Sequence, residues 1–176
     1  LALFLIFCVI GFTFRTYSQP FLLLLLIPFS LTTVAWGHLV HGFPVNVISL
    51  LGVIALVGIL VNDGLVLISK FNSNLRAGKS YDESLFGAGK ERFRAIFLTS
   101  ITTMAGLAPI IFEKSFQAQL LKPMAISIAY GIGYATFLTL ILLPILLSLT
   151  NTFKLNFVWL RSGKKLDKRE VEAPVI

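Results

Sequence analysis

The stretch from Pro44 to Ser69 is apolar except for a few small polar residues and one charged residue, Asp63. As an α-helix rising ~1.5 Å per residue, it is long enough to cross the ~30 Å hydrocarbon core of a bilayer. A carboxylate at the centre of such a helix costs roughly 2.5–3.5 kcal/mol, so an acid is kept there only where it faces protein, water or a partner ion. The stretch therefore predicts a membrane span, and Asp63 with its neighbour Asn62 as the first candidate functional residues.

The composition places the whole chain in a membrane. Of its 176 residues 56% are hydrophobic and only 13% are charged, whereas soluble domains have roughly 25% charged residues. The net charge of +7 would suggest nucleic acid in a soluble protein, but here the cations flank apolar spans, which topology explains better. We therefore expect membrane lipids, and no nucleic acid, as partners. Cys8 is the single cysteine and is interpreted as an inert thiol in an apolar helix.

The hydropathy pattern predicts an all-α bundle of about five transmembrane helices in residues 1–149, at about 1–16, 21–40, 44–72, 95–112 and 123–149. A charged cytoplasmic tail follows at 150–176. Ser80 and Glu83 fit a capping box that opens a helix at 81–94. This helix is too polar to span and is expected on the cytoplasmic membrane surface. The first apolar run is shorter than the ~20 residues that a span needs, so we expect the chain to be part of a longer protein.

Lysine and arginine are distributed unevenly between the connections. Thirteen of the 15 lie in the first connection, around the third connection or in the tail, and only Lys114 and Lys122 lie in the others. The positive-inside rule then predicts that the first and third connections and the C-terminus are cytoplasmic.

Helical periodicity places Asp63 on one stripe with Gly52 and Leu56, so we expect it to face a neighbouring helix. Small residues let membrane helices approach closely, and this predicts packing contacts at Gly52, Gly106, Gly131 and Gly133.

Two further polar groups allow more than one interpretation. Thr99 shares one side of its span with Thr102 and Thr103, where hydroxyls serve either in packing and hydrogen bonding or in a proton relay. His38 and His41 lie on one helix face, but no third ligand is near, so we predict no metal site. A polar, aromatic belt at the membrane interface explains the histidines better. No cofactor or catalytic residue is predicted.

Four motifs, in this order and spacing, resemble the last five membrane helices of the resistance-nodulation-division (RND) transporters, acriflavine-resistance (AcrB/AcrD/AcrF) family. They are Tyr17-Ser18-Gln19-Pro20-Phe21, Gly58 through Phe71, Arg92 through Ser100, and Gly131 through Pro144. The resemblance extends from residue 1 to about residue 149.

The resemblance implies a proton-driven multidrug or solute exporter of the bacterial inner membrane, not an enzyme. Such exporters have twelve helices in two repeats and large periplasmic domains, and are usually trimeric, with a periplasmic adaptor and an outer-membrane channel. In well-studied members the tenth helix carries a Lys-Asn pair, whose lysine meets two aspartates of the fourth helix. Asn62 stands at the lysine position and Asp63 at the asparagine position, while Thr99 matches the relay threonine of the eleventh helix.

Three alternatives stay open at this stage. The chain is a truncated membrane fragment that does not transport, an RND relative that moves lipids, or one that assists secretion. A membrane enzyme using Asp63 with a histidine is disfavoured, because His38 lies near the opposite end of the bundle.

Overall fold

The computed structural model describes residues 7–8, 11–12, 16, 18–162, 168, 170 and 172. These residues form helices and no strand, which confirms the predicted all-α class. The order is α1 (Ser18–His41), α2 (Val47–Arg76), α3 (Tyr81–Phe112), α4 (Phe116–Phe137), a π-helical segment (Leu138–Leu142) and α5 (Leu143–Ser162). Most of the predicted first span, at 1–16, lies outside the described residues.

Four helical stretches in the described part of the chain are long and apolar enough to cross a membrane. Three of them are α1, α2 and α3, with 24, 30 and 32 residues. The fourth is the 45-residue run from Phe116 to Leu160, in which α4, the π segment and α5 follow without a break. The fold is thus a membrane helix bundle.

The sequence predicts a surface helix at 81–94 and a separate span at 95–112, but residues 81–112 form the single helix α3. Its start has the predicted capping box: the Glu83 amide donates to the Ser80 hydroxyl and the Ser80 amide to the Glu83 carboxylate. The change from polar to apolar residues near Ala95 does not interrupt the backbone, since nothing there opposes helical geometry. At ~1.5 Å per residue α3 is longer than the bilayer core, so its charged first turns extend beyond it.

The last predicted span also differs in its limits. The sequence predicts a span at 123–149, but α4 begins at Phe116, where the Ser115 hydroxyl caps it, and helix continues through Ser162. Proline at 123 does not mark the start, because the chain is already helical seven residues earlier. The first part of the predicted tail is therefore helical.

Helix α4 packs directly against α2. A methyl group at Gly52 would lie 2.7 Å from the Met124 carbonyl oxygen and 2.9 Å from the Ser127 Cβ, so the two backbones approach as only glycine permits. Further along, the Leu56 side chain occupies the space where Gly131 has no side chain. The helices run in the same direction, and these two contacts define their register.

The other faces of α4 pack on α1 and α3. Tyr130 lies against Gly37 of α1, and the Met104 sulfur of α3 lies 3.2 Å from where a Gly133 methyl group would stand. Gly106 differs from the prediction, since nothing lies within 4 Å of its open side. It packs against no helix in the described part of the chain.

A reciprocal pair of amides joins α1 to α2. Gln19 Nε2 donates to Asn72 Oδ1 at 3.1 Å, and Asn72 Nδ2 donates back to Gln19 Oε1 at 3.0 Å. Both side chains are almost fully buried, at 1% and 3% exposure. The pair satisfies two amides that would otherwise be costly in an apolar interface.

Candidate functional site

Asp63 is buried within α2, with 8% of its surface exposed. No hydrogen bond or ion pair joins its carboxyl group to another residue in the described part of the chain. The space beside the next residue, Gly64, is filled by Leu23 of α1, and Leu143 of α5 lies 3.7 Å from where a methyl group would stand. The structure thus places the acid on an interior, apolar side of α2.

The ends of α2 and α3 around Lys70 are linked by polar contacts. Lys70 Nζ lies 2.7 Å from Glu91 Oε2. One turn further along, the Asn74 amide lies 3.2 Å from where a Gly87 methyl group would stand. Since α2 and α3 are antiparallel neighbours, each step toward the N-terminus of α2 corresponds to a step toward the C-terminus of α3.

This register brings two of the candidate residues to one level. Asn62 lies eight residues before Lys70 on α2, and Thr99 lies eight residues after Glu91 on α3. Both side chains are exposed on the surface of this bundle. Asp63, one residue further along α2, points to the interior instead, because successive residues of a helix lie ~100° apart.

The three candidate threonines of α3 hydrogen-bond to their own helix. Thr99 Oγ1 donates to the Ala95 carbonyl at 2.9 Å, and Thr102 and Thr103 each donate to the carbonyl of Thr99, at 2.9 and 2.8 Å. Thr99 and Thr102 are exposed and Thr103 is half-buried. None of the three hydroxyls bonds to another helix in the described part of the chain.

Hydroxyl groups that sequence reasoning missed line the interior at this level. Ser100 of α3 is 2% exposed, and its hydroxyl oxygen lies 2.6 Å from the hydroxyl oxygen of Thr136 in α4. Thr139, in the π segment, is fully buried, and its hydroxyl has no hydrogen-bond partner among the described residues. Lone hydroxyl residues in apolar helices give a weak signal, and only the folded structure shows that these three are buried.

The two histidines bind α4 side chains through separate contacts. His38 Nε2 lies 2.9 Å from Ser127 Oγ, and its Nδ1 lies 3.2 Å from the Phe43 carbonyl oxygen. His41 Nε2 lies 3.1 Å from the Tyr130 hydroxyl. Among the described residues no group of three His, Cys, Asp or Glu side chains is arranged to hold a metal ion. The histidines thus join α1 to α4, far along the bundle from Asp63.

The arrangement offers one chemistry at the centre of the bundle. A carboxyl group can take up and release a proton or bind a cation, and this one is buried in an apolar bundle. Lys70 is bound to Glu91 two turns away, so no lysine or arginine of the described residues pairs with Asp63. A change of charge at this position therefore alters the electrostatic balance of the helix packing directly.

Comparison with known proteins gives a family match over most of the chain. The sequence profile of the AcrB/AcrD/AcrF family matches residues 1–151. The cobalt-zinc-cadmium resistance protein CzcA of Cupriavidus metallidurans is 30% identical over 150 residues, covering 85% of this chain and 14% of that protein. The swarming motility protein SwrC of Bacillus subtilis is 29% identical over 154 residues, covering 87% of this chain and 15% of that protein.

A multidrug relative and a solved structure are similar at the same level. The multidrug resistance protein MdtC of Serratia proteamaculans is 26% identical over 163 residues, covering 92% of this chain and 16% of that protein. The crystal structure of a heavy metal efflux pump superposes with a TM-score of 0.77 at 29% identity, covering 85% of this chain and 15% of that one. The chain thus spans about 15% of the length of the proteins it matches.

Proposed function

Because the chain belongs to the AcrB/AcrD/AcrF family of RND efflux transporters, we propose that it is the proton-coupling membrane bundle of a bacterial efflux transporter, with Asp63 as the group that binds the proton. The observation that carries the proposal is the buried carboxyl group of Asp63, with no ion partner among the described residues. An ionisable residue inside a membrane bundle is costly and marks ion or proton pathways. Protonation changes its charge, and the helices around it repack in response.

Asn62 and Thr99 give the bundle a polar spot on its exposed surface. They lie level with each other on α2 and α3, and Asn62 adjoins the acid in sequence. Neither makes an interhelical hydrogen bond or ion pair with another described residue. We propose that this spot faces the other membrane repeat of the complete transporter. In the family pattern the residue at the Asn62 position meets two acids of the fourth helix, so the spot and Asp63 together would couple the two repeats.

The proposed transporter is a secondary antiporter that takes its energy from the proton gradient across the inner membrane. Its basic connections and C-terminus would lie in the cytoplasm, since most lysines and arginines are there. The full assembly would be a homotrimer with periplasmic domains, an adaptor and an outer-membrane channel, as the family resemblance implies. Lipids would contact the apolar outer surface of the bundle.

The substrate is proposed to be selected outside this bundle. Relatives at similar identity have names that refer to cobalt, zinc and cadmium, to multiple drugs, or to swarming motility. One membrane bundle therefore fits several substrate classes, as expected if it supplies energy rather than specificity.

The experiment replaces Asp63 by asparagine in the complete transporter that carries this segment. Asparagine is nearly isosteric and does not ionise, so it separates charge from packing. Export should fall to background while the amount of protein in the membrane is unchanged, and Asp63→Glu should keep part of the activity. Two readouts follow from the relatives: tolerance to zinc, cobalt and cadmium salts, and efflux of a fluorescent dye. Export by Asp63→Asn at the parental rate would show that Asp63 is structural and that proton coupling occurs elsewhere.

A further inference from the structure

Two polar groups in the middle of the bundle have no hydrogen-bond partner among the residues that the structure describes. One is the Asp63 carboxyl group on α2, and the other is the Thr139 hydroxyl in the π segment. Buried hydroxyls normally donate to a carbonyl of their own helix, as Thr136 does to Ile132 at 2.9 Å, one turn before Thr139. Unsatisfied buried polar groups are rare in native proteins and call for an explanation.

The register of α2 against α4 brings these two groups to one level. Leu56 packs into Gly131, and the two helices run in parallel. Seven residues are close to two full turns, so Asp63 lies on the same face of α2 as Leu56. The same step from Gly131 leads to Leu138, which is the first residue of the π segment and immediately precedes Thr139.

A second interhelical contact lies on the C-terminal side of Asp63. Leu143 is fully buried and approaches the side of Gly64, directly after Asp63. Thr139 lies one turn before Leu143 and, like it, has no exposed surface. The two contacts bracket the interval of α2 that contains Asp63, and Thr139 lies between Gly131 and Leu143 on the helix that follows this interval.

The π segment explains why this hydroxyl is available. A π turn inserts one residue into a helix and shifts the backbone hydrogen bonds from i→i+4 to i→i+5, and such turns occur often at functional sites. The Leu143 amide donates to the Leu138 carbonyl across this turn. Within this altered turn, the hydroxyl of Thr139 lacks the carbonyl partner that Thr136 has one turn earlier.

We infer that Thr139 is the internal hydrogen-bonding partner of Asp63, directly or through one bridging water molecule, and that it positions the carboxyl group for proton exchange. The second half of this inference rests on the proposed function. A threonine hydroxyl suits both states of the acid, because it donates to a carboxylate oxygen and equally to the carbonyl oxygen of a protonated carboxyl group.

The first test uses infrared difference spectra of the purified 176-residue chain in lipid. The band of the protonated Asp63 carboxyl group is assigned by its loss in Asp63→Asn. In Thr139→Val, which removes only the hydroxyl, the carbonyl stretch should move to higher frequency, since a hydrogen bond to a carbonyl group lowers its frequency. Thr139→Ser should restore the original band. The matched control is Thr150→Val, because the Thr150 hydroxyl donates to the Leu146 carbonyl of its own helix and the band should not move.

The second test measures export by the complete transporter. Thr139→Val should reduce the rate by up to about tenfold, the equivalent of one ordinary hydrogen bond, and Thr139→Ser should recover most of it. An unmoved band in Thr139→Val would overturn the pairing, even if Asp63→Asn abolishes export. A moved band with full export by Asp63→Asn would keep the pairing and overturn the proposed function instead.

Discussion

Gly52 determines how closely α2 approaches α4. In Gly52→Ala the new methyl group would meet the Met124 carbonyl oxygen at 2.7 Å, and because that atom belongs to a helical backbone it has little freedom to move. We expect a loss of about 1–3 kcal/mol in the free energy of unfolding, as for other overpacked sites. The measurement is unfolding of the purified chain in mixed detergent micelles, followed by circular dichroism.

Gly58 provides the matched control, in the same helix. Nothing lies within 4 Å of its open side, so Gly58→Ala gains helix propensity without a clash. Its stability should be unchanged or higher by up to about 1 kcal/mol. Equal stability of the two alanine variants would show that α2 and α4 are not in close contact at Gly52.

Residue periodicity shows how far the site is predictable from sequence. The stripe through Leu56 and Asp63 correctly indicates an interior position for the acid, because apolar and small residues repeat along it. Asn62 and Thr99 have no such stripe to locate them, and they lie at the surface of this bundle. Thr139 is beyond prediction, because no sequence pattern shows that the backbone forms a π turn there.

At the scale of elements, hydropathy predicts the apolar spans but not where the helices end. A helix ends where a capping group or a forbidden backbone angle stops it, whereas hydropathy reports only where lipid or protein surrounds it. The Ser80 cap was recognisable and fixes the start of α3, while the boundary expected near Ala95 has no such group and is absent. The same holds for α4, which is capped by Ser115 well before the apolar run.

The Gln19–Asn72 pair gives an element-scale prediction for the contact between α1 and α2. Gln19→Leu or Asn72→Leu alone leaves a buried amide without its partner and should cost about 1–3 kcal/mol. The double variant removes both polar groups, so its cost should be smaller than the sum of the two. A double-mutant cycle on the free energy of unfolding measures this difference, and additivity within about 0.5 kcal/mol would show that the two amides do not interact.

At the scale of the whole molecule, α3 is the least enclosed helix. Of its most apolar window 17% is buried within the bundle, compared with 44% for α1 and for α2. Thr99, Gly106 and Phe97 of this helix are all exposed. We expect its exposed surface to contact lipid or the rest of the transporter, which agrees with the chain spanning only about 15% of its relatives' length.

The orientation of the bundle is the last prediction. The connection between α2 and α3 should be cytoplasmic, because lysines and arginines are concentrated around it, and the connection between α1 and α2 should be periplasmic. Single cysteines in a Cys8→Ser background report this through an impermeant thiol reagent applied to intact cells.

The glycines in these turns are unsuitable positions, since Gly42 and Gly78 have φ angles of 66° and 87°, where a side chain is strained. Val45, which is 60% exposed, and Ala77, which is exposed with a φ of −69°, avoid this strain. Val45→Cys should react in intact cells and Ala77→Cys only after the cells are opened. The reverse pattern would invert the bundle and place the excess of positive charge outside.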